Sequence, residues 1–481
     1  MPPFLHRDYL LSNATACDLY HGVAEPLPII DYHNHLSPKE IAENRIYPDL
    51  AEVWLSGDHY KWRAMRWAGV PEECITGKAD PYAKFLAWAT TVPKLLRNPQ
   101  YAWTHMELRR YFGIDLLLSE HTAKEVWDEA NRQLARMPVR DMLARYRVAV
   151  VGTTDDPAQS LQHHHALDRE FRAGKTNLRM APTFRPDPAH NALGDPQAWN
   201  TWVGRLEDAT DLRVDSLDTL IGALAKARLE FAVAGAKASD HGLARLPDCD
   251  PDDRLAAAAV KKALKGEVPT QAERDALTLE VLRATAKWNH AEGWTTQLHL
   301  NPLRNVSSRL LLSVGADAGT DVMGDERQAS GLARFLNGLD EEGHLPQTIL
   351  YNLNPADNHV FAVLAGAFQG TGANPGHVQW GSAWWFLDQE DGMRRQINDL
   401  SNLGQLSAFI GMLTDSRSPL SFVRHEMFRR ILCDLIGRDA ESGRIPCDRG
   451  MLADLVSRVC YGNARDYFGF GIHPDFERAA S

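Results

Sequence analysis

The chain has 481 residues, 44% hydrophobic and 24% charged, which is near globular averages and leaves enough apolar material for a large core. It is longer than a typical single domain but within range for an elaborated eight-stranded α/β barrel. With 63 acidic against 52 basic residues the net charge is −11, which argues against non-specific binding to nucleic acid or an anionic membrane, although local arginines still suit an anionic small molecule.

Met1 to Asp8 show no positive segment followed by an apolar one, and no run of about 18 apolar residues occurs anywhere, so neither a leader nor a membrane span is expected. The six cysteines are scattered with no Cys-x-x-Cys pair. They read as reduced thiols and a cytoplasmic setting is expected. Residues 4–20 suggest a short helix.

The first strand is read in Ile29-Ile30-Asp31-Tyr32-His33-Asn34-His35, stopped by Leu36-Ser37-Pro38. Residues i and i+2 of a strand share a face. His33 and His35 then present two imidazoles about 6–7 Å apart along the strand, a reach that suits two nitrogens converging on one cation. Two hydrogen-bonded histidines at a strand end are the plainer alternative. From Pro38 to about Tyr146 the pattern is helical and rich in aromatics, broken at Pro71, Pro81, Pro93 and Pro99, and reads as one large insertion.

Val148 to Gly152 is a continuous apolar run of the kind that forms a buried parallel strand, and Asp156-Pro157 after it reads as N-cap and first residue of a helix. His163-His164-His165 reads as a helical face rather than a metal site. The same grammar recurs in Leu178 to Pro186, which ends in Arg185. It recurs in Phe231 to Gly235 leading to Ala238-Ser239-Asp240-His241-Gly242, and in Trp294 to Pro302, which carries His299. Thr348 to Leu353, His377 to Gly381 and Ile410 to Arg417 complete the set. Helical patterns such as 271–291 lie between them. Eight strand candidates alternating with helices indicate a (β/α)8 barrel with a helical insertion at about 38–146, here taken as one domain over 1–481. The polar residues fall at strand C-terminal ends, where barrels keep their chemistry.

Asp31-Tyr32-His33-Asn34-His35-Leu36-Ser37-Pro38 resembles the opening motif of the uronate isomerase family, within the amidohydrolase superfamily. Thr183-Phe184-Arg185-Pro186-Asp187, Gln297-Leu298-His299-Leu300, Gly381 to Phe386, Leu413 to Ser418 and Arg424 to Arg430 match in the same order, so the resemblance spans about residues 5–475. Asn34 departs from the cysteine common there, but its side chain should point away from the metal.

The resemblance implies aldose–ketose isomerisation of hexuronates: D-glucuronate to D-fructuronate, and D-galacturonate to D-tagaturonate. It implies one divalent ion, zinc by chemistry, on His33, His35 and Asp415, with a position left open; Asp415 also suits a helix N-cap. No clear lysine ends the middle strands to hold a second ion. Arg417 is expected to stabilise an enediolate or meet the substrate carboxylate, Arg185 to bind that carboxylate, and Arg304 to assist. His59 and Tyr60, unremarkable in themselves, are implied to close over the substrate, with Tyr60 joining proton transfer if nearby positive charge lowers its pKa. Asp240 and His299 are placed for sugar hydroxyls, His299 alternatively for the metal, and Trp384 for stacking. The proton-abstracting base stays open between Tyr60, Asp415 and a water at the metal. Metal-assisted hydrolysis of an anionic sugar-derived lactone or amide is the rival reading. A small-molecule substrate is expected and a homo-oligomer is compatible.

Overall fold

A computed structural model describes residues 3–370 and 375–480. Among the described residues nine strands follow in chain order: β1 Ile29–Asp31, β2 Val148–Asp155, β3 Arg179–Phe184, β4 Ala238–Leu243, β5 Thr295–Leu300, β6 Pro302–Leu303, β7 Val322–Met323, β8 Thr348–Asn352 and β9 Val378–Trp380. Seven form one parallel sheet in the order β1-β2-β3-β4-β5-β8-β9, while β6 and β7 make a small antiparallel pair. Helices connect the parallel strands, which are buried on both faces and therefore read as apolar runs.

The expected eighth strand is not a ladder strand. Ile410 to Asp415 nevertheless fills the gap beside β1. Asp415 N–H donates to His33 O (3.3 Å) and His35 N–H to Ser416 O (2.9 Å). Gly411 at φ +79° and Asp415 at φ +49° turn the backbone out of the extended region, which breaks the regular pairing. Asp31 ties the two ends together. Its Oδ1 accepts from Thr414 N (2.7 Å) and bonds His425 Nε2 (3.0 Å), and its Oδ2 accepts from Thr414 Oγ1 (2.7 Å) and Asn34 Nδ2 (2.8 Å). Asn34 is therefore spent on this belt and faces away from the histidines.

Between β1 and β2 the chain is helical from Pro38–Ala42 to Val139–Arg145. Pro81 and Pro99 start helices behind the N-caps Asp80 and Asn98, the first-turn position that proline tolerates. Asp156 differs from expectation: it accepts from Ala158 N (2.9 Å) within a turn, and the next helix begins at Gln162. Phe231 lies in the helix Leu217–Val233, so the strand there begins only at Ala238. The short N-terminal helix is Ala14–Leu19.

Within the sheet, Ile30, Tyr32, Ala149, Ala181, Ala238, Ile349 and Tyr351 form a buried cluster, with small residues making room for the two tyrosines. A second cluster around Phe184, Trp199, Trp202 and Leu220 packs helices on the outer side. No helix among the described residues is long and apolar enough to cross a membrane.

Candidate active site

A cavity of about 670 Å³ opens at the C-terminal ends of the strands, within the usual size for small-molecule sites. Its walls include His33, His35, His59, Arg185, His299, Arg304, Trp384, Asp415 and Arg417. A neighbouring, more apolar cavity of about 610 Å³ shares His59 and Trp385 with it and contains Tyr60, but none of the strand-end ligands.

β1 ends at Asp31, so His33 and His35 lie just beyond it, held by Asn34 N–H on Gly152 O (2.8 Å) and by the His35–Ser416 bond. Their ring centroids are 5.4 Å apart. Both Nε2 atoms turn to one atom, Asp415 Oδ1, at 3.4 and 3.0 Å. The other carboxylate oxygen, Oδ2, accepts from Trp384 Nε1 at 2.9 Å. Trp384 thus orients Asp415, and its ring meets His299 edge-on at 4.6 Å.

The field here favours a cation. Burial opposes ionisation of Asp415, yet its bonds to His33 and His35 outweigh that and hold the carboxyl well below the usual range. Burial would strip His33 of its proton, but Asp240 and Asp415 raise its pKa instead. Burial holds His35 neutral, its pKa lowered to about 4. Two imidazoles and a carboxylate converging from three atoms fit a divalent ion with an open position. His33, Asp240 and His299 also cluster, but both Asp240 oxygens are engaged.

That engagement differs from the expectation for Asp240. It is fully buried, with Oδ1 on His299 Nδ1 (2.6 Å) and Oδ2 on Arg185 Nη1 (2.9 Å), so it stands behind the cavity wall rather than in it. It fixes His299, whose ring stacks on Tyr351 at 4.2 Å and whose Nε2 has no protein partner among the described residues. Arg185 is likewise more committed than its sequence context suggested. Its Nε donates to Asp187 Oδ2 (2.9 Å) while Nη1 pairs with Asp240. Gly242 lets the guanidinium through: a Cβ there would lie 2.6 Å from Arg185 Nη2.

Among the described residues Arg417 has one ion-pair contact, a long one of 3.5 Å to Asp317. Arg304 sits at the rim, paired with Asp321 (2.7 Å) and over the Trp385 ring at 5.2 Å. His59 and Tyr60 open the helix His59–Trp67 behind the N-cap Asp58. Burial and the Arg417 charge lower the His59 pKa to about 4. Tyr60 reverses the expectation of a lowered pKa. Its hydroxyl is buried without a partner among the described residues, and burial raises it well above the ordinary value despite Arg424 beside the ring.

Two wall residues escaped the sequence reading. Asp155, at the end of β2, accepts from Thr153 Oγ1 (2.8 Å) and is pushed up to about 7 by burial; it had been passed over beside Asp156. Asp187 was noted only inside a motif. A carboxylate at the C-terminal end of a parallel strand was the available signal in both cases.

A family model described as glucuronate isomerase matches residues 1–468. The uronate isomerase of Opitutus terrae is 48% identical over 479 residues, covering 99% of this chain and all of that protein; that of Solibacter usitatus is 46% identical, covering 98% of this chain and all of that protein. Among solved structures, uronate isomerase from Thermotoga maritima superposes with a TM-score of 0.90 at 36% identity, over 97% of this chain and 100% of that one. Glucuronate isomerase from Caulobacter crescentus gives 0.89 at 25% identity, over 98% of each.

Proposed function

The chain belongs to the glucuronate isomerase family, and from that premise we propose how its residues divide the interconversion of an aldose and a ketose hexuronate. The enzyme is a hexuronate isomerase; the pairs we assign are D-glucuronate with D-fructuronate and D-galacturonate with D-tagaturonate. The observation that carries the assignment of roles is the convergence of His33, His35 and Asp415 on the floor of a cavity with Arg185, Arg304 and Arg417 in its walls.

In this reading His33, His35 and Asp415 hold one divalent ion, zinc by the character of the set. A bound ion would supply Lewis-acid polarisation of a substrate oxygen. Asp240, spent on His299 and Arg185, sets the tautomer of His299 with Nδ1–H towards the carboxylate, so that Nε2 is free to accept from a sugar hydroxyl. Arg417, the least engaged by protein carboxylates of the three arginines in the cavity wall, is placed to meet negative charge developing on an enediolate. Arg185 and Arg304 receive the uronate carboxylate. Tyr60, kept protonated by burial, acts as a proton donor rather than a base, and with His59 covers the substrate. The relatives that match over the whole chain are named as isomerases, which speaks against the hydrolytic alternative.

Isomerisation then runs by proton transfer through a cis-enediol. Turnover of D-glucuronate in D2O, followed by NMR, is expected to give ketose with deuterium at C1. Complete retention of the C2 hydrogen at C1 over many turnovers would overturn the enediol route, and absence of any ketose would overturn the substrate assignment.

Trp384 supplies a second test. Trp384→Phe removes the donor on Asp415 Oδ2, and partners that orient metal ligands typically carry about 10–100-fold in affinity. A loss of that order is expected when the chelator-stripped variant is titrated with Zn2+. Unchanged affinity would mean that the indole does not orient the carboxylate.

A further inference from the structure

β4 presents alternate residues to opposite faces. Asp240 points towards His299 and the interior, while His241 points outward, towards the layer that carries the short helix Pro188–Asn191. There it meets Asp187 and His190. Asp187 Oδ1 lies 3.7 Å from His190 Nε2 and 3.8 Å from His241 Nδ1, and the three donor atoms all fall within 4.8 Å of one another. All three residues are buried; His241 is 0% exposed. None of these three atoms has a hydrogen-bond partner among the described residues, although the Asn191 side chain lies beside the His190 ring.

We propose that Asp187, His190 and His241 form a second cation site, for Zn2+ or a similar divalent transition metal, on the outer side of the barrel wall behind Arg185. Three ligands of a tetrahedral ion at 2.1 Å stand about 3.4 Å apart, so the two contacts to Asp187 Oδ1, at 3.7 and 3.8 Å, lie within a few tenths of an ångström of that spacing. The second polar atoms of Asp187 and His241 are already satisfied, whereas His190 Nδ1 has no hydrogen-bond partner among the described residues. Asp187 Oδ2 takes Arg185 Nε (2.9 Å) and Gly242 N–H (3.0 Å). His241 Nε2 bonds Ser239 Oγ (3.1 Å), which also accepts from Asn289 Nδ2 (2.7 Å). That outer contact anchors the ring with Nδ1 towards the site, as ligating histidines generally require. Burial keeps both imidazoles neutral, the form that binds metal, with His241 lowered to about 4 and His190 lowered as well.

Charge points the same way. Arg185 stands between Asp187 and Asp240, so the trio carries a net −1 before an anionic substrate arrives. A dication on Asp187 reverses that sign and leaves Arg185 with charge to spare for a carboxylate. Access is through Asp187, which lines the main cavity. The proposed role is to position Asp187 and hence Arg185, without contact with the substrate.

Chelator-stripped full-length protein titrated with Co2+, read by elemental analysis and by visible absorption, tests this without reference to turnover. The wild type is expected to bind two equivalents, H33N/D415N one, and H241N one, while H33N/D415N/H241N binds none. Circular dichroism reports whether each variant is folded, and H190Q replaces H241N if the latter fails to fold. One equivalent in the wild type, or two retained by folded H241N or H190Q, would overturn the second site.

Discussion

Asp415→Asn is expected to abolish metal binding at the His33–His35 site and turnover together, with kcat on glucuronate lower by about 10³-fold or more, since several kcal/mol of charge stabilisation go with the ion. The reason lies in how fully both oxygens are used. Oδ1 faces two imidazole nitrogens at 3.4 and 3.0 Å, and Oδ2 accepts from the Trp384 indole. An amide has one acceptor oxygen. If the oxygen faces the histidines, its NH2 opposes the indole N–H; if flipped, the NH2 occupies the ligand position. Neither orientation restores the charge that His33 and His35 offset. The companion His33→Asn should lower metal occupancy and activity in parallel. Elemental analysis beside kinetics is the check. A metal-replete Asp415→Asn enzyme with normal turnover would remove the ligand assignment.

Arg185→Met should damage stability as well as substrate binding. From sequence alone the residue reads as a carboxylate clamp whose loss spares the fold. Between Asp187 and Asp240, however, its removal leaves two buried carboxylates short of a partner, a type of loss worth about 3–5 kcal/mol. Loss of the charge-assisted bond to substrate, about 1.5–3 kcal/mol, should raise KM by about 10- to 150-fold. The pH dependence separates the two effects. Burial works against ionised Asp240, but Arg185 and then His299 depress its pKa well below the ordinary value. A depressed carboxylate contributes stability above its unfolded pKa and loses it as pH falls through the folded one. In the variant burial is less opposed and the Asp240 pKa rises. The gap in Tm between wild type and variant should therefore be widest at pH 7–8 and narrow towards pH 4. A variant with unchanged Tm at neutral pH would show that the two carboxylates find other partners.

Much of this architecture was legible because parallel strands buried on both faces must be apolar, and β2 is apolar from Val148 to Val151. His33 and His35 announced themselves by spacing, although the ladder ends at Asp31, four residues before His35, where the pattern placed the end of the strand. Ile410 to Asp415 looked like a strand because it is apolar and buried, but the positive φ of Gly411 and Asp415 is a tertiary requirement that composition does not signal. Asp240 and Arg185 were found as residues and misplaced as partners. Their pairing joins strands 55 positions apart in sequence, and no local rule distinguishes a carboxylate facing the cavity from one locked behind it. Tyr60 failed for the opposite reason: positive charge does lie beside it, at Arg424, but burial dominates.

The belt around Asp31 sets an order of assembly. Asp31 and Thr414 are 383 residues apart, and at about 5–20 residues per second of synthesis their emergence from the ribosome is separated by roughly 20–80 s. Throughout that interval the opening histidines exist without Asp415, and Asp31 lacks the backbone amide and hydroxyl of Thr414 and the imidazole of His425. The catalytic centre is therefore completed only after every strand of the parallel sheet has been made, with the C-terminal helices from Val423 still to follow. A nascent chain halted before Thr414 carries most of the parallel sheet, but only two of the three groups that would grip the ion.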